Sequence, residues 1–440
     1  MTSSPPLIIT APPSKSVSHR ALIRAALANG VSRVAGVLES QDLERTRACL
    51  AAMGAKITGS GGEYEVTGVA GRPHGGEKTP VVLDVGESGT TCRLIVAVAA
   101  AGHGLFEVTG RGRMHERPVG ELTRVLEGLG AGVAFLGRPE CPPLGIQARG
   151  LSGGTAEITL EESSQYLSGL LLASPLAAGP LTILVTGKKA VSWPYVAVTL
   201  AAMADAGVPV TVETTRGEAW TVTDPATITR AEPGRIRFLC RPGAYAAGTF
   251  RVEGDWSNAS YFLAAGALGT RPVRVANLRR DSAQGDTAMV DILRRMGAQV
   301  TQDATSVTVF PSPLSGIDVD MGHCPDLVPT VAVAAALAVG PTTITNVAHL
   351  RIKESDRLAA LADNLGRAGA RATVLADGLR IEPGLIPPHD TVSFATYDDH
   401  RMAMSMALFS LSGIDTRFDN PGCVAKSFPT FFDEWSKVTS

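Results

Sequence analysis

Lys15 and Arg20 stand in SKSVSHR with Ser16 and Ser18 between them, so two cations and two hydroxyls gather at the start of an apolar run where an oxyanion could be held. Other stretches carry related groups. Gly89 and Thr90 in ESGTTCRL let backbone approach a ligand closely, and Arg93 follows one helical turn on. Ser163, Ser164 and Gln165 offer three neutral hydrogen-bonding groups suited to a polyol or a phosphate, although a helix cap would account for one of them. Arg117 precedes Pro118 in RGRMHERPVG, which pushes it into extended or turn backbone at a helix entrance. Lys353 and Arg357 in RIKESDR lie four apart and are expected on one helical face with Glu354 beside them. Asp399, His400 and Arg401 open an apolar run in YDDHRMAM, and Lys426 stands in CVAKSFPTFF. Asp326 is the sharpest acidic candidate, because it follows Pro325 at the mouth of an almost wholly apolar segment; its ordinary role there would be to stabilise a helix N-terminus. Eight cations, Lys15, Arg20, Arg93, Arg117, Lys353, Arg357, Arg401 and Lys426, in a chain of net charge −2 imply a substrate set with several negative charges. In a site that closes, their attraction strengthens as water leaves.

The elements that must position these groups repeat. Six times a polar or charged head precedes an apolar run of helical length, usually stopped by Gly, beginning at Ser14, Ser88, Ser163, Ser257, Pro325 and Asp398. Helices apolar all round are buried, and a polar head at the N-terminus of each meets open N–H groups and the positive end of the macrodipole. A second, amphipathic phrase follows, as in LERTRACLAAMGAKI from Leu43 and DTAMVDILRRMGAQV from Asp286. Gly54, Gly130, Gly207, Gly297 and Gly369 end these phrases as left-handed helix caps before a β-branched stretch. The unit therefore reads strand, helix, strand, helix, strand. The longest interval between copies holds the Gly- and Pro-rich stretch Arg230 to Phe250, which is expected to cross between two domains of three repeats each.

Composition limits the function. A chain of 440 residues is too long for one ordinary core, and 45% hydrophobic with 19% charged residues fits a globular α/β or α+β protein. A net charge of −2 supplies no global field for nucleic acid or an acidic membrane, so any anion site must be local. Cys49, Cys92, Cys141, Cys240, Cys324 and Cys423 lie far apart without metal-ligand spacing and read as free thiols of a reducing compartment. The N-terminus lacks a basic region and a long apolar stretch, and runs such as Val331 to Val339 are too short to span a bilayer, so a cytoplasmic location is expected.

The segments SKSVSHRALIRAALA, ESGTTCRL, RPVGELTRVLEGLGA, SSQYLSGLLLASPL, EGDWSNASYFLAA, RIKESDRLAAL and DDHRMAMSMAL are weak singly and specific together. Through them, from SKSVSHR to AKSFPTFF, the chain resembles the 5-enolpyruvylshikimate-3-phosphate synthase (3-phosphoshikimate 1-carboxyvinyltransferase) family. The resemblance implies an α/β (α+β) fold, a two-domain inverted α/β barrel in which each domain has three βαβαββ repeats around buried central helices. Ligands are expected in the cleft between domains. It also implies that a strand near Leu7 to Ile9 joins the second domain, so the expected domains are 14–240 on the shikimate 3-phosphate side, and 1–13 with 241–440 on the phosphoenolpyruvate and acid-base side.

The implied reaction belongs to the shikimate pathway to chorismate and aromatic amino acids. It moves the enolpyruvyl group of phosphoenolpyruvate onto the 5-hydroxyl of shikimate 3-phosphate and releases phosphate, by addition and elimination through a tetrahedral intermediate. No metal or organic cofactor is implied. By resemblance, Asp326 accepts the hydroxyl proton, Glu354 donates to the methylene and reverses role during elimination, and Lys15 stabilises charge developing between the substrates. Shikimate 3-phosphate is assigned Lys15, Ser16, Arg20, Ser163, Ser164, Gln165, Ser192, Tyr195, Asp326 and Lys353. Phosphoenolpyruvate is assigned Lys15, Gly89, Arg117, Gln165, Arg357, Arg401 and Lys426, its carboxylate and phosphate suiting planar arginine forks. Arg93 is expected to support rather than touch the ligand. Glyphosate is expected to compete with phosphoenolpyruvate, and a methyl group at Gly89 to crowd it.

Two positions depart from the family pattern: Glu87 stands where Asn is frequent, and His349 where some relatives use Asn. The nearest alternative is the sister enolpyruvyl transferase acting on UDP-N-acetylglucosamine. That family usually carries a reactive Cys in the loop before the arginine, and the loop RGRMHE here has none. A nonenzymatic or RNA-end-binding module of the same repeat is opposed by near-neutral charge and by the carboxylates Asp326 and Glu354. A monomer is expected, since the family cleft lies within one chain.

Overall fold

The computed structural model describes residues 5–385 and 387–440. They divide into two compact units, one spanning Ser14–Val252 and the other holding the chain up to Pro13 together with Glu253–Ser440.

In the first unit, buried and amphipathic helices alternate: α1 (Lys15–Leu27), α2 (Gln41–Ala52), α3 (Gly89–Ala100), α4 (Gly120–Gly128), α5 (Gln165–Ala173) and α6 (Trp193–Asp205). The second unit repeats the alternation with α7 (Trp256–Leu268), α8 (Met289–Arg295), α9 (Val328–Ala336), α10 (Arg357–Arg367), α11 (His400–Met406) and α12 (Phe431–Thr439). The odd-numbered helices are buried on nearly all sides. In α3 the side chains of Leu94, Ile95, Val96 and Val98 have no exposed surface; each contributes about 1.5–3 kcal/mol relative to an exposed position. The backbones of α3 and α5 approach so closely that a Cβ at Gly169 would lie 2.6 Å from the Arg93 carbonyl oxygen. Any larger residue there would force the two helices apart. The even-numbered helices bury one stripe. In α10 that stripe is Leu358, Leu361 and Leu365, with Asn364 completely buried among them.

A sheet accompanies each pair of helices. Val81–Asp84 runs parallel to His103–Thr109, which pairs antiparallel with Leu144–Arg149, and that strand with Gly132–Phe135. The same order of one parallel and two antiparallel pairings recurs in the sheet of Leu7–Thr10, Val273–Ala276, Ser306–Phe310 and Gln299–Gln302. Among the described residues the last repeat has only the parallel pair Thr391–Phe394 with Asp415–Phe418.

Two strands are exchanged between the units. Leu7–Thr10 precedes α1 in the chain yet pairs with Val273–Ala276, Leu7 opposite Val273. Thr249–Arg251 precedes α7 yet pairs with Val31–Ala35, Thr249 opposite Arg33. This pairing corrects the sequence-based division at 240/241. Residues 241–252 stay with the first unit because Thr249–Arg251 lies along Val31–Ala35, and Val252 N donates to Ala35 O at 2.9 Å.

Candidate active site

In the first unit the mouths of α1, α3 and α5 are linked by hydrogen bonds. Lys15, first residue of α1, donates to Asp42 Oδ2 on α2 at 3.1 Å. The Asp42 carbonyl accepts from Thr91 Oγ1 at 3.2 Å, and Thr91 Oγ1 is hydrogen-bonded to the hydroxyl of Ser88, the N-cap of α3, at 2.7 Å. Gln165 Nε2 donates to Thr90 Oγ1 at 2.9 Å, and Gln165 N to Ser163 Oγ at 3.2 Å. Ser163 and Ser164 are buried, and Gln165 is half-buried.

Arg20 ties α1 to α5 and α6. It is buried, with Nε donating to Thr199 Oγ1 at 2.7 Å, Nη1 to Ser16 O at 2.8 Å, and Nη2 to Tyr195 O at 2.9 Å and Ser168 Oγ at 3.3 Å. Burial lowers its pKa to about 10. Ser192 caps α6 in left-handed backbone, with φ 57°. A non-glycine residue held there carries strain of roughly 1–3 kcal/mol, of the kind that concentrates at functional sites.

Gly89 is the tightest point. A Cβ there would lie 2.3 Å from Arg117 Nη2 and 2.6 Å from Arg93 Nη1, so two guanidinium groups press on its backbone. Arg117 donates to Glu87 O at 3.2 Å, and Arg93 to Gly89 O at 3.2 Å and Pro118 O at 2.8 Å. Arg93 thus braces the turn on which Arg117 stands.

The second unit holds a denser network. Arg357, buried at the start of α10, donates from Nε and Nη2 to the two oxygens of Asp399 at 2.8 and 3.3 Å, from Nη1 to Asp326 Oδ1 at 3.0 Å, and from Nη2 to Glu354 Oε2 at 2.9 Å. Burial would lower its pKa, but Asp399, then Glu354 and Asp326, hold it above the ordinary arginine value. Arg401 donates to Asp326 Oδ2 at 2.8 Å and to the Ser257 hydroxyl. Asp399 has no exposed surface; it also caps α11 by accepting from Arg401 N at 3.0 Å, and takes a hydroxyl bond from Ser355 at 3.0 Å. The turn entering α11 is strained: Tyr397 and Asp398 both have φ of 53°. Their side chains are fixed by Asp363 and Asn420 at 2.7 Å each.

A sequence model of EPSP synthase (3-phosphoshikimate 1-carboxyvinyltransferase) matches residues 7–435. The chain belongs to the EPSP synthase family. A 3-phosphoshikimate 1-carboxyvinyltransferase of Methanosphaerula palustris is 41% identical over 430 residues, 97% of this chain and 95% of the relative. One from Nitrosomonas europaea is 40% identical over 436 residues, with 97% and 95% covered. The solved EPSP synthase of Acinetobacter baumannii superposes with a TM-score of 0.76 at 27% identity, covering 98% of this chain and 95% of that one. The fold class is the one expected: mixed α/β, in two domains of repeated units.

In this EPSP synthase family member the structure brings Asp326, Glu354, Arg357 and Arg401 into one cluster, and in the other unit joins Lys15, Gly89, Arg117, Gln165, Arg20 and Tyr195 through the contacts above. Lys353 adjoins Glu354 in sequence and is half-buried; Lys426 is buried, and its neighbour Ser427 accepts from Asn258 Nδ2 at 3.4 Å. One spacing argument fails. Lys353 and Arg357 do not share a helix: Lys353 is extended, and Arg357 opens α10 after Asp356, whose carboxylate caps Leu358 N and Ala359 N at 3.1 Å. Asp326 lies in a 3-10 turn, Pro325–Leu327, ahead of α9. Sequence reasoning left out Asp42 and Ser257 and gave Asp399 no role. The signal for Asp399 was a carboxylate opening an apolar run, which when buried requires a charged partner, although that partner is Arg357 and not the neighbouring Arg401. Among the described residues no group of three or more His, Cys, Asp or Glu side chains is placed to hold a metal ion, and no helix is long and apolar enough to cross a membrane.

Proposed function

We propose that this chain transfers the enolpyruvyl group of phosphoenolpyruvate to the 5-hydroxyl of shikimate 3-phosphate and releases phosphate. Membership of the EPSP synthase family supports the reaction. The observation that carries the residue assignment is the sharing of one buried arginine by two carboxylates: Arg357 binds Asp326 and Glu354 at 3.0 and 2.9 Å.

In the proposed sequence Glu354 enters protonated, accepting from Arg357 on Oε2 and giving the proton of its other oxygen to the methylene carbon, while the 5-hydroxyl oxygen bonds to the adjacent carbon and its proton passes to Asp326. Glu354 then takes a proton back from the new methyl group, and the carbon–oxygen bond to phosphate breaks. Arg357, Arg401, Arg117 and Lys426 hold phosphoenolpyruvate with Gly89 and Gln165. Lys15, Ser16, Arg20, Ser163, Ser164, Ser192, Tyr195 and Lys353 hold the sugar phosphate, and Lys15 stabilises the charge between the substrates. Both oxygens of Asp326 are engaged by Arg357 and Arg401, so each must give up a guanidinium contact before it can accept the hydroxyl proton. Anionic groups of phosphoenolpyruvate compete for those same N–H donors. Donor binding would therefore free an Asp326 oxygen to accept the proton at the moment a base is required.

A cytoplasmic monomer is proposed, whose cysteines are free thiols. The test is phosphate release from phosphoenolpyruvate with shikimate 3-phosphate or UDP-N-acetylglucosamine as acceptor. Release is expected with the first alone; release with only the second overturns the proposal.

A further inference from the structure

The helix mouth at α7 has been given no ligand. Its cap is Asp255, which accepts from Asn258 N at 2.8 Å, so Ser257, one residue inside the helix, is not needed to satisfy its own N-terminus. The Ser257 side chain is buried, and its hydroxyl accepts from Arg401 Nη1. The next residues point the same way: Asn258 Nδ2 reaches Ser427 O at 3.4 Å beside Lys426, and Ser260 Oγ meets Thr330 Oγ1 on α9 at 2.9 Å. From one helix turn, α7 thus touches α11, the segment after Lys426 and the helix that follows Asp326.

We propose that Ser257 is a positioning residue for the reaction, holding the Arg401 guanidinium in place for the phosphoenolpyruvate anion. This rests on the assignment of Arg401 to phosphoenolpyruvate made above. A guanidinium has several rotamers, and its value to an anion lies in being already placed. The Asp326 carboxylate holds Arg401 Nη2 at 2.8 Å and must leave to act as a base; on Nη1 the Asp326 carbonyl accepts at a longer 3.3 Å beside the shorter bond to Ser257. Ser257 carries no charge, does not compete with the ligand, and can keep its bond throughout the cycle.

The experiment is a double-mutant cycle on the full chain, measuring KM for each substrate and binding of shikimate 3-phosphate. Ser257→Ala is expected to raise KM for phosphoenolpyruvate roughly 10-fold, the lower end for losing a hydrogen bond to a charged group. KM for shikimate 3-phosphate should hold. Ser257→Gly, which lacks the hydroxyl by a different route, is expected to show the same split. In an Arg401→Ala background the Ser257 effect should vanish. An unchanged phosphoenolpyruvate KM in both Ser257 variants, an equal rise for both substrates, or the same Ser257 effect without Arg401 overturns the proposal. A normal phosphoenolpyruvate KM in Arg401→Ala alone would instead overturn the assignment of Arg401.

Discussion

Gly89→Ala is the sharpest perturbation, because the collision can be measured. The added Cβ would stand 2.3 Å from Arg117 Nη2, 2.6 Å from Arg117 Cζ and 2.6 Å from Arg93 Nη1. Favourable heavy-atom contact begins near about 3.5 Å, so a guanidinium must move by roughly 1 Å. Arg93 has little freedom, being buried and bonded to the Gly89 and Pro118 carbonyls at 3.2 and 2.8 Å. Arg117 must therefore yield, with its bond to Glu87 O. A displacement of about 1 Å in a positioning group can lower turnover by about 100-fold. We expect kcat/KM for phosphoenolpyruvate to fall by about that factor, binding of shikimate 3-phosphate to persist, and inhibition by glyphosate to weaken. The assays are steady-state phosphate release and calorimetric binding of the sugar phosphate. An Arg117→Ala background isolates the cause, since with the guanidinium gone the extra methyl should add little further loss. Normal phosphoenolpyruvate kinetics and normal glyphosate inhibition in Gly89→Ala would refute the reasoning.

Asp326→Ala and Glu354→Ala are each expected to lower turnover at least about 100-fold while shikimate 3-phosphate still binds, the ordinary scale of acid-base catalysis; near-normal turnover in both would remove them from the mechanism. Asp399→Asn keeps an acceptor for the α11 cap but removes the charged bidentate partner of buried Arg357, which keeps Asp326 and Glu354, and should destabilise the fold by about 1.5–3 kcal/mol. Urea unfolding within about 1 kcal/mol of wild type would contradict that. His19 is buried against Thr46 Oγ1 at 2.8 Å, and burial lowers its pKa from 6.5 to about 3. The unfolded chain then binds the proton more readily, so His19 contributes stability that is present above pH 6.5 and lost as pH falls toward 3, on the order of 1 kcal/mol per pH unit. His19→Gln should flatten that slope; identical slopes would show that His19 does not carry it.

The repeats were legible because each buried helix writes an unbroken apolar run, and each amphipathic helix ends at a glycine that must turn left-handed, as at Gly54, Gly130 and Gly297, with φ of 105°, 104° and 101°. Of the strand exchange, the family resemblance implied the Leu7–Thr10 half alone; the other half was not legible, since Thr249–Arg251 is a short segment whose own residues do not say which sheet completes it. Lys353 and Arg357 misled for a local reason: helical spacing holds only inside one helix, and Asp356 starts a new one. Cations were legible as cations, but not their partners. Nothing in SNASYFL says that the Ser257 hydroxyl meets an arginine far along the chain, because tertiary pairing leaves no periodic trace.

Those partners separate two buried arginines that look alike in sequence. Arg20 is bonded to the carbonyls of Ser16 and Tyr195 and the hydroxyls of Thr199 and Ser168. These groups satisfy its N–H donors without cancelling its charge, and burial pulls its pKa down to about 10. Arg357 is bonded to three carboxylates, which more than offset burial and raise its pKa. A desolvated, uncompensated cation is a standing field for an incoming dianion, whereas a cation already matched by carboxylates binds a new anion only by exchange. Shikimate 3-phosphate, proposed for the Arg20 side, would thus enter a field that is already positive. Phosphoenolpyruvate, proposed for the Arg357 side, would have to displace Asp326, and the group it displaces is the one proposed as the base. On that proposal, the unequal pairing of the two arginines would couple occupancy by the donor to readiness of the base.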